Sequence, residues 1–194
     1  PAGVELLPGV GATLSILARR GCRLFLVSNQ SGVGRGFFCT KDVLACNAAL
    51  AERLADFGVM LEDSVFCPHA PEDQCLCRKP AVGLWNMLQE RHGLRAASAV
   101  MVGDKAEDMA FAARAGLAGR ILTLADNDGK TLAGSVNNSV KGGGLAETPA
   151  LRRLIPEREE QPDILLPNFS WLPEALQLLE ISPDGAARPR NNWG

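Results

Sequence analysis

SAVMVGDKAEDMAFAARAG, residues 98–116, opens as an apolar run of strand length, breaks at Gly103-Asp104-Lys105, and continues as a helix that Gly116 stops. The same order recurs upstream. RLFLVS (23–28) reads as a strand, residues 29–37 as a glycine-rich loop, and Thr40 as the cap of a helix carrying Val43, Leu44, Leu50 and Leu54 up to Gly58. A short strand over 64–67, a helix over 82–92 ended by Gly93, and a strand over RILTLA (120–125) complete the alternation, and a helix over 8–20 with Leu14, Ile16 and Leu17 precedes it. Strands alternating with helices at this spacing predict βαβ units. The expected fold is α/β: a Rossmann-like three-layer αβα sandwich around a mostly parallel sheet.

Beyond residue 125 the pattern lapses. Residues 126–162 are rich in Gly, Asn, Ser and Glu and read as a flexible insertion with one short helix near 151–154. An edge strand over 163–166, a terminal helix capped by Ser170 with Leu172, Leu176 and Leu179, and a disordered tail over 182–194 are expected to follow. Residues 1–181 then form a single domain. With a net charge of −2 and scattered Lys and Arg, the chain is expected not to bind nucleic acid. No apolar run reaches the roughly 18 residues of a membrane span, and no basic arm or apolar signal segment opens the chain, so a cytoplasmic monomer is expected. The chain opens at Pro1 without a Met, which points to a processed or shortened N-terminus.

Residues 67–79, CPHAPEDQCLCRK, place Cys67, His69, Cys75 and Cys77 close together. Three thiolates and an imidazole at this spacing suit a structural Zn²⁺, which takes four S/N ligands and leaves no position open. The plainer alternatives are disulfides or buried thiols. Disulfides fit badly, because the histidine cannot oxidise and Cys75 and Cys77 are too close to bridge comfortably.

Open parallel sheets bind ligands beyond the carboxyl ends of their strands. Ser28, Asn29, Gln30 and the backbone of Ser31-Gly32 stand at one such end, a hydroxyl, two amides and free N–H groups suited to phosphate oxygens, with Arg35 in the same loop. Lys79, beside Arg78, can neutralise phosphoryl charge. Asp104 ends another strand with Asp108 one helical turn on, an arrangement for Mg²⁺. Each has a plainer reading: Ser28 and Asn29 as turn caps, Arg78 and Lys79 as a solvated pair, Asp104 as a helix N-cap and Asp108 as a partner to a neighbouring base. Gly32, Gly34 and Gly36 mimic a dinucleotide fingerprint, but the third glycine comes one residue early and no helix opens there.

VSNQSGVGRG (27–36), CPHAPEDQCLCRKP (67–80) and VGDKAEDMAFAARAG (102–116) together resemble the haloacid dehalogenase superfamily of phosphatases. More narrowly they resemble its zinc-containing branch, which holds D-glycero-D-manno-heptose 1,7-bisphosphate 7-phosphatase and the histidinol-phosphatase domain. The resemblance implies a phosphoric monoester hydrolase with structural Zn²⁺ and catalytic Mg²⁺. It makes Ser28 and Lys79 the phosphate-binding hydroxyl and the basic residue of the site, and Asp104 the Mg²⁺ ligand with Asp108 behind it. It sets Asn29, Gln30, Arg35, Arg78 and Lys105 toward substrate. The NQSGVGRG wording favours a phosphorylated sugar, heptose bisphosphate of the ADP-heptose route to lipopolysaccharide core, over histidinol phosphate.

The resemblance also exposes a departure. Family members carry a first strand ending in Asp-x-Asp-Gly, whose first Asp attacks phosphorus, and the chain has no such strand before Pro8-Gly9. Its lone Asp-x-Asp, Asp126-Asn127-Asp128-Gly129, follows the wrong strand and reads as a turn. Three readings are therefore carried forward: a phosphatase whose nucleophile lies outside this sequence, a phosphate-ester-binding module without turnover, and a zinc-stabilised interaction protein.

Overall fold

A computed structural model describes residues 3–123, 163–166, 172, 173 and 176. Ten labelled elements follow one another: α1 (Val10–Arg19), β1 (Phe25–Asn29), α2 (Ser31–Gly34), α3 (Thr40–Ala55), β2 (Asp63–Cys67), α4 (Gly83–His92), β3 (Val100–Gly103), α5 (Ala106–Arg114), β4 (Gly119–Thr123) and β5 (Ile164–Leu166). The alternation expected from the sequence is present, and the three strand pairings among the described residues are all parallel. The expected insertion at 126–162, the Asp126-Asn127-Asp128-Gly129 turn, Ser170, Leu179 and the tail lie outside the described residues.

Two local expectations are corrected. Residues 29–37 are not all loop, since α2 makes one turn directly after β1. Thr40 is not a cap but the first residue of α3. Cys39 is the N-cap, its N–H donating to Asp42 Oδ2 at 2.7 Å in a capping box.

Among the described residues the ladder is divided: β1 pairs only with β2, while β3, β4 and β5 form a separate run. The two runs nevertheless share an apolar core. Val65 and Cys67 of β2, Leu84, Trp85 and Leu88 of α4, and Phe111 of α5 are buried together, with Phe25 and Val27 of β1 and Met101 of β3 packed against them. Each such side chain taken from water stabilises the fold by about 1.5–3 kcal/mol. Helix α5 is buried from Asp108 through Ala112, which explains why MAFAA lacks the polar face of a surface helix. A second cluster joins Leu17 of α1, Ile121 of β4 and Leu172, with Leu176 alongside.

Candidate functional site

The carboxyl ends of β1 and β3 open onto a shared cleft of about 350 Å³, lined by Ser28, Asn29, Arg78, Lys79, Asp104 and Lys105 among others. Chain folding brings these together because parallel strands end on the same side and each is followed by a turn. Lys79 is the best-held group in the cleft. Only 8 % exposed, it donates from Nζ to the Val27 carbonyl at 2.9 Å and pairs with Asp108 Oδ1 at 2.6 Å. Its peptide is held by Asn29, whose Nδ2 donates to the Lys79 carbonyl at 3.0 Å and whose Oδ1 accepts the Lys79 N–H at 2.9 Å. A buried cation fixed at both ends is suited to an anionic ligand.

Asp104 and Lys105 are exposed at the mouth of the cleft. Asp108 lines the same cleft as Asp104, and the plainer reading of it as the partner of a neighbouring base is the one the contacts bear out. Its Oδ1 is taken by Lys79 and its Oδ2 accepts the Lys105 N–H at 3.3 Å, because position N3 of a helix faces back onto its own cap. Asn29 likewise does not stand free toward a substrate, since Lys79 occupies both ends of its amide. Gln30 and Arg35 do not line the cleft. Gln30 Nε2 donates to Ser28 Oγ at 3.3 Å, and Arg35 reaches Glu72 at 3.7 Å. Arg78 does line it, and its Nη1 is buried without a hydrogen-bond partner. Ser31, named from the sequence for its backbone, lies at the cleft, and so does Glu107, which sequence reasoning passed over. Glu107 was findable as the acidic residue three after Asp104, at the second position of α5.

Cys67, His69, Cys75 and Cys77 converge as anticipated, with one ligand atom from each lying within 4.8 Å of all the others. Cys67 is the end of β2 and is fully buried, whereas the other three come from the loop that follows. The crowding shows in their acidities. Burial raises the Cys67 thiol. Burial and the Cys67 and Cys75 sulfurs push Cys77 up to about 12. Burial also works against the Cys75 thiolate, yet hydrogen bonds from the Arg78 N–H and the neighbouring thiols outweigh it and bring Cys75 down to about 7. A divalent cation relieves this conflict by favouring all three thiolates together.

The cysteine loop and the loop after β1 are stapled to each other. Gln30 N–H donates to the Cys67 carbonyl at 2.7 Å and Gly34 N–H to the Pro68 carbonyl at 2.8 Å. Gly34 sits so near that a Cβ there would stand 2.6 Å from the Ala70 nitrogen. The cysteine loop is thus tied to the segment that follows Ser28, and Lys79 follows that loop directly, so both border the cleft next to the candidate metal-ligating cluster.

Residues 76–139 match the HAD-hydrolase-like family. The chain is 34% identical over 148 residues to the D-glycero-beta-D-manno-heptose-1,7-bisphosphate 7-phosphatase of Vibrio cholerae, covering 71% of this chain and 80% of that protein. It is 36% identical over 125 residues to the enzyme of the same name from Haemophilus ducreyi, covering 61% and 69% respectively. Among solved structures, D,D-heptose 1,7-bisphosphate phosphatase from B. bronchiseptica, complexed with magnesium and phosphate, superposes with a TM-score of 0.67 at 29% identity, over 89% of this chain and 83% of that one. Sequence kinship over four fifths of a relative and a shared fold carry the same conclusion: the chain belongs to the HAD-like hydrolases, in the family of D-glycero-D-manno-heptose-1,7-bisphosphate 7-phosphatases.

Proposed function

We propose that the cleft binds the phosphate of a phosphorylated sugar, D-glycero-D-manno-heptose 1,7-bisphosphate, for Mg²⁺-dependent hydrolysis at the 7-position. The observation that carries this reading is the buried Lys79 ammonium, held by Val27 and Asp108 at the cleft that the ends of β1 and β3 both border. Phosphoryl transfer is mostly a matter of positioning and of offsetting charge on the transferring oxygens. Lys79 supplies a fixed positive charge and Ser28 a hydroxyl donor. Arg78 brings planar N–H groups to a second anionic or hydroxyl face of the sugar.

Asp104 would hold Mg²⁺, an exposed carboxylate at the end of β3 meeting the oxygen preference of that ion. When bound, Mg²⁺ supplies charge stabilisation to the phosphoryl oxygens. Cys67, His69, Cys75 and Cys77 would hold Zn²⁺. The S₃N donor set fits a closed tetrahedral site, which leaves this metal a structural role.

The nucleophile implied by family membership is an Asp at the end of a strand seated between β1 and β3. The division of the ladder at that place supports this reading. Attack of such an Asp on phosphorus, in line with the departing sugar oxygen, forms an aspartyl-phosphate that water then hydrolyses. The test is phosphate release from heptose 1,7-bisphosphate by residues 1–194 and by the chain extended with a strand ending in Asp-x-Asp-Gly. Negligible turnover by the first and Mg²⁺-dependent turnover by the second are expected, with Asp104→Asn cutting the rate by orders of magnitude. Turnover by residues 1–194 that disappeared with Asp126→Asn would overturn the assignment.

A second reading, phosphate-ester binding without turnover, draws on the same divided ladder. It predicts phosphate binding that persists while the extended chain stays inactive.

A further inference from the structure

Asn29 ends β1 beside Ser28, yet its side chain is committed to another element fifty positions along the chain. Nδ2 donates to the Lys79 carbonyl at 3.0 Å and Oδ1 accepts the Lys79 N–H at 2.9 Å, so the amide behaves as a second peptide unit facing that of Lys79. The two partners also fix which end is which, because a reversed amide would set NH₂ against N–H and oxygen against oxygen.

Two residues earlier on the same strand, the Val27 carbonyl accepts from Lys79 Nζ at 2.9 Å. Strand β1 therefore grips Lys79 twice, at its backbone through Asn29 and at its head through Val27. A lysine head travels on a flexible four-carbon stem, and its place is defined only when both the root and the head are held. Asp108 secures the head from α5 at 2.6 Å, but neither Asp108 nor Val27 fixes the root. Asn29 holds the root from β1, adding to the turn after the cysteine loop in which the Arg78 carbonyl accepts the Ala81 N–H at 2.8 Å.

We infer that Asn29 is a positioning residue for Lys79, setting where the ammonium stands in the cleft, and is not itself a ligand of the phosphate. This deepens, and rests on, the reading of the cleft as a phosphate site.

The experiment is a double-mutant cycle on the zinc-loaded protein, with inorganic phosphate as probe and zinc stoichiometry as the check of folding. Asn29→Leu keeps the shape of the side chain and removes its hydrogen bonds. It should weaken phosphate binding about tenfold in the native background and by less than about twofold in a Lys79→Met background, because an effect exerted through Lys79 vanishes with it. Equal losses in both backgrounds would make Asn29 a direct ligand and overturn the inference. A second measurement is independent of phosphate. In ¹⁵N-lysine-labelled protein the buried Lys79 ammonium should give a slowly exchanging resonance that Asn29→Leu, or the smaller Asn29→Ser, broadens away while zinc is retained. An unchanged resonance would overturn the inference even if phosphate does not bind. By contrast, an unchanged phosphate affinity in Lys79→Met alone would defeat the phosphate reading of the cleft and leave the ammonium signal to decide on Asn29.

Discussion

Lys79 shows how one residue takes its role from its partners. In sequence it is half of an Arg-Lys pair that a solvated surface would explain equally well. In the fold its side chain is 9 % exposed against an Asp108 side chain that is 7 % exposed. Breaking a buried ion pair from one side leaves an uncompensated charge, typically a loss of about 3–5 kcal/mol. Asp108→Ala is therefore expected to destabilise the protein by about 3 kcal/mol in urea unfolding. Asp108→Leu combined with Lys79→Met should recover most of that loss, since replacing both partners removes the stranded charge. Full stability in Asp108→Ala would mean that the pair is held open to water. The cysteine cluster yields a second prediction at this scale. Cys75→Ser removes one of four soft donors, so the purified variant should carry less zinc than wild type and melt earlier. Equal metal content and an unmoved melting temperature would count against the metal centre.

Elements are joined here by a few specific contacts as well as by packing. The short helix α2 closes on the cysteine loop because residue 34 lacks a side chain. In Gly34→Ala the new methyl would meet the backbone nitrogen of Ala70 at 2.6 Å and the carbonyl of Pro68 at 3.0 Å, neither of which can rotate aside. The expected cost is about 1–3 kcal/mol, as for other overpacked sites, accompanied by weaker phosphate binding as α2 and the end of β1 at Ser28 are pushed from the cysteine loop. At the opposite end of the strands, Asp63 ties β2 to the last turn of α4. Its Oδ2 pairs with His92 Nε2 at 2.9 Å and Arg91 Nη1 at 3.2 Å. The hydrogen bond to His92 leads the causes that hold the Asp63 carboxyl below its ordinary 3.8, with the Ser64 N–H and Arg91 adding to it against burial. A depressed folded value means the unfolded chain takes up the proton first as pH falls. The contribution of Asp63 is thus complete above its unfolded pKa of about 4 and is lost as pH drops through the lower folded value. Asp63→Asn should flatten the stability profile below about pH 4 while lowering stability at neutral pH, as followed by urea midpoints across pH. An acid limb identical to wild type would place the linkage elsewhere.

At the scale of the molecule, the consequential feature is that the two strand runs share a core without, among the described residues, sharing a ladder. Phe25, Val27 and Met101 meet the same apolar cluster, but among the described residues no strand bridges β1 and β3. Unpaired strand edges invite another strand, and a parallel one would align its end with Lys79. Hydrogen exchange should therefore find weakly protected amides in Val27–Asn29 and Met101–Gly103 on the cleft side, becoming strongly protected when the chain is extended with an Asp-x-Asp-Gly strand. Full protection without the extension would show that another part of the chain fills the gap.

Much of this protein was legible in its sequence because the signals were local. The strand-turn-helix reading of residues 98–116, the glycine stops at Gly93 and Gly116, and the convergence of Cys67, His69, Cys75 and Cys77 each depend on neighbours within a turn or a short loop, where covalent geometry leaves few options. Membership of the phosphatase family was legible for the same reason, since its motifs are short and contiguous. What only the tertiary structure decided were the partnerships across long stretches of chain. That Asn29 bonds Lys79 fifty residues away, and that Asp108 pairs with Lys79, follow from how β1, α5 and the cysteine loop pack. The physical reason is that a short polar side chain makes its strongest contacts with whatever the fold brings within about 3 Å. Sequence spacing places a carboxylate or an amide on an element but leaves its partner to the packing.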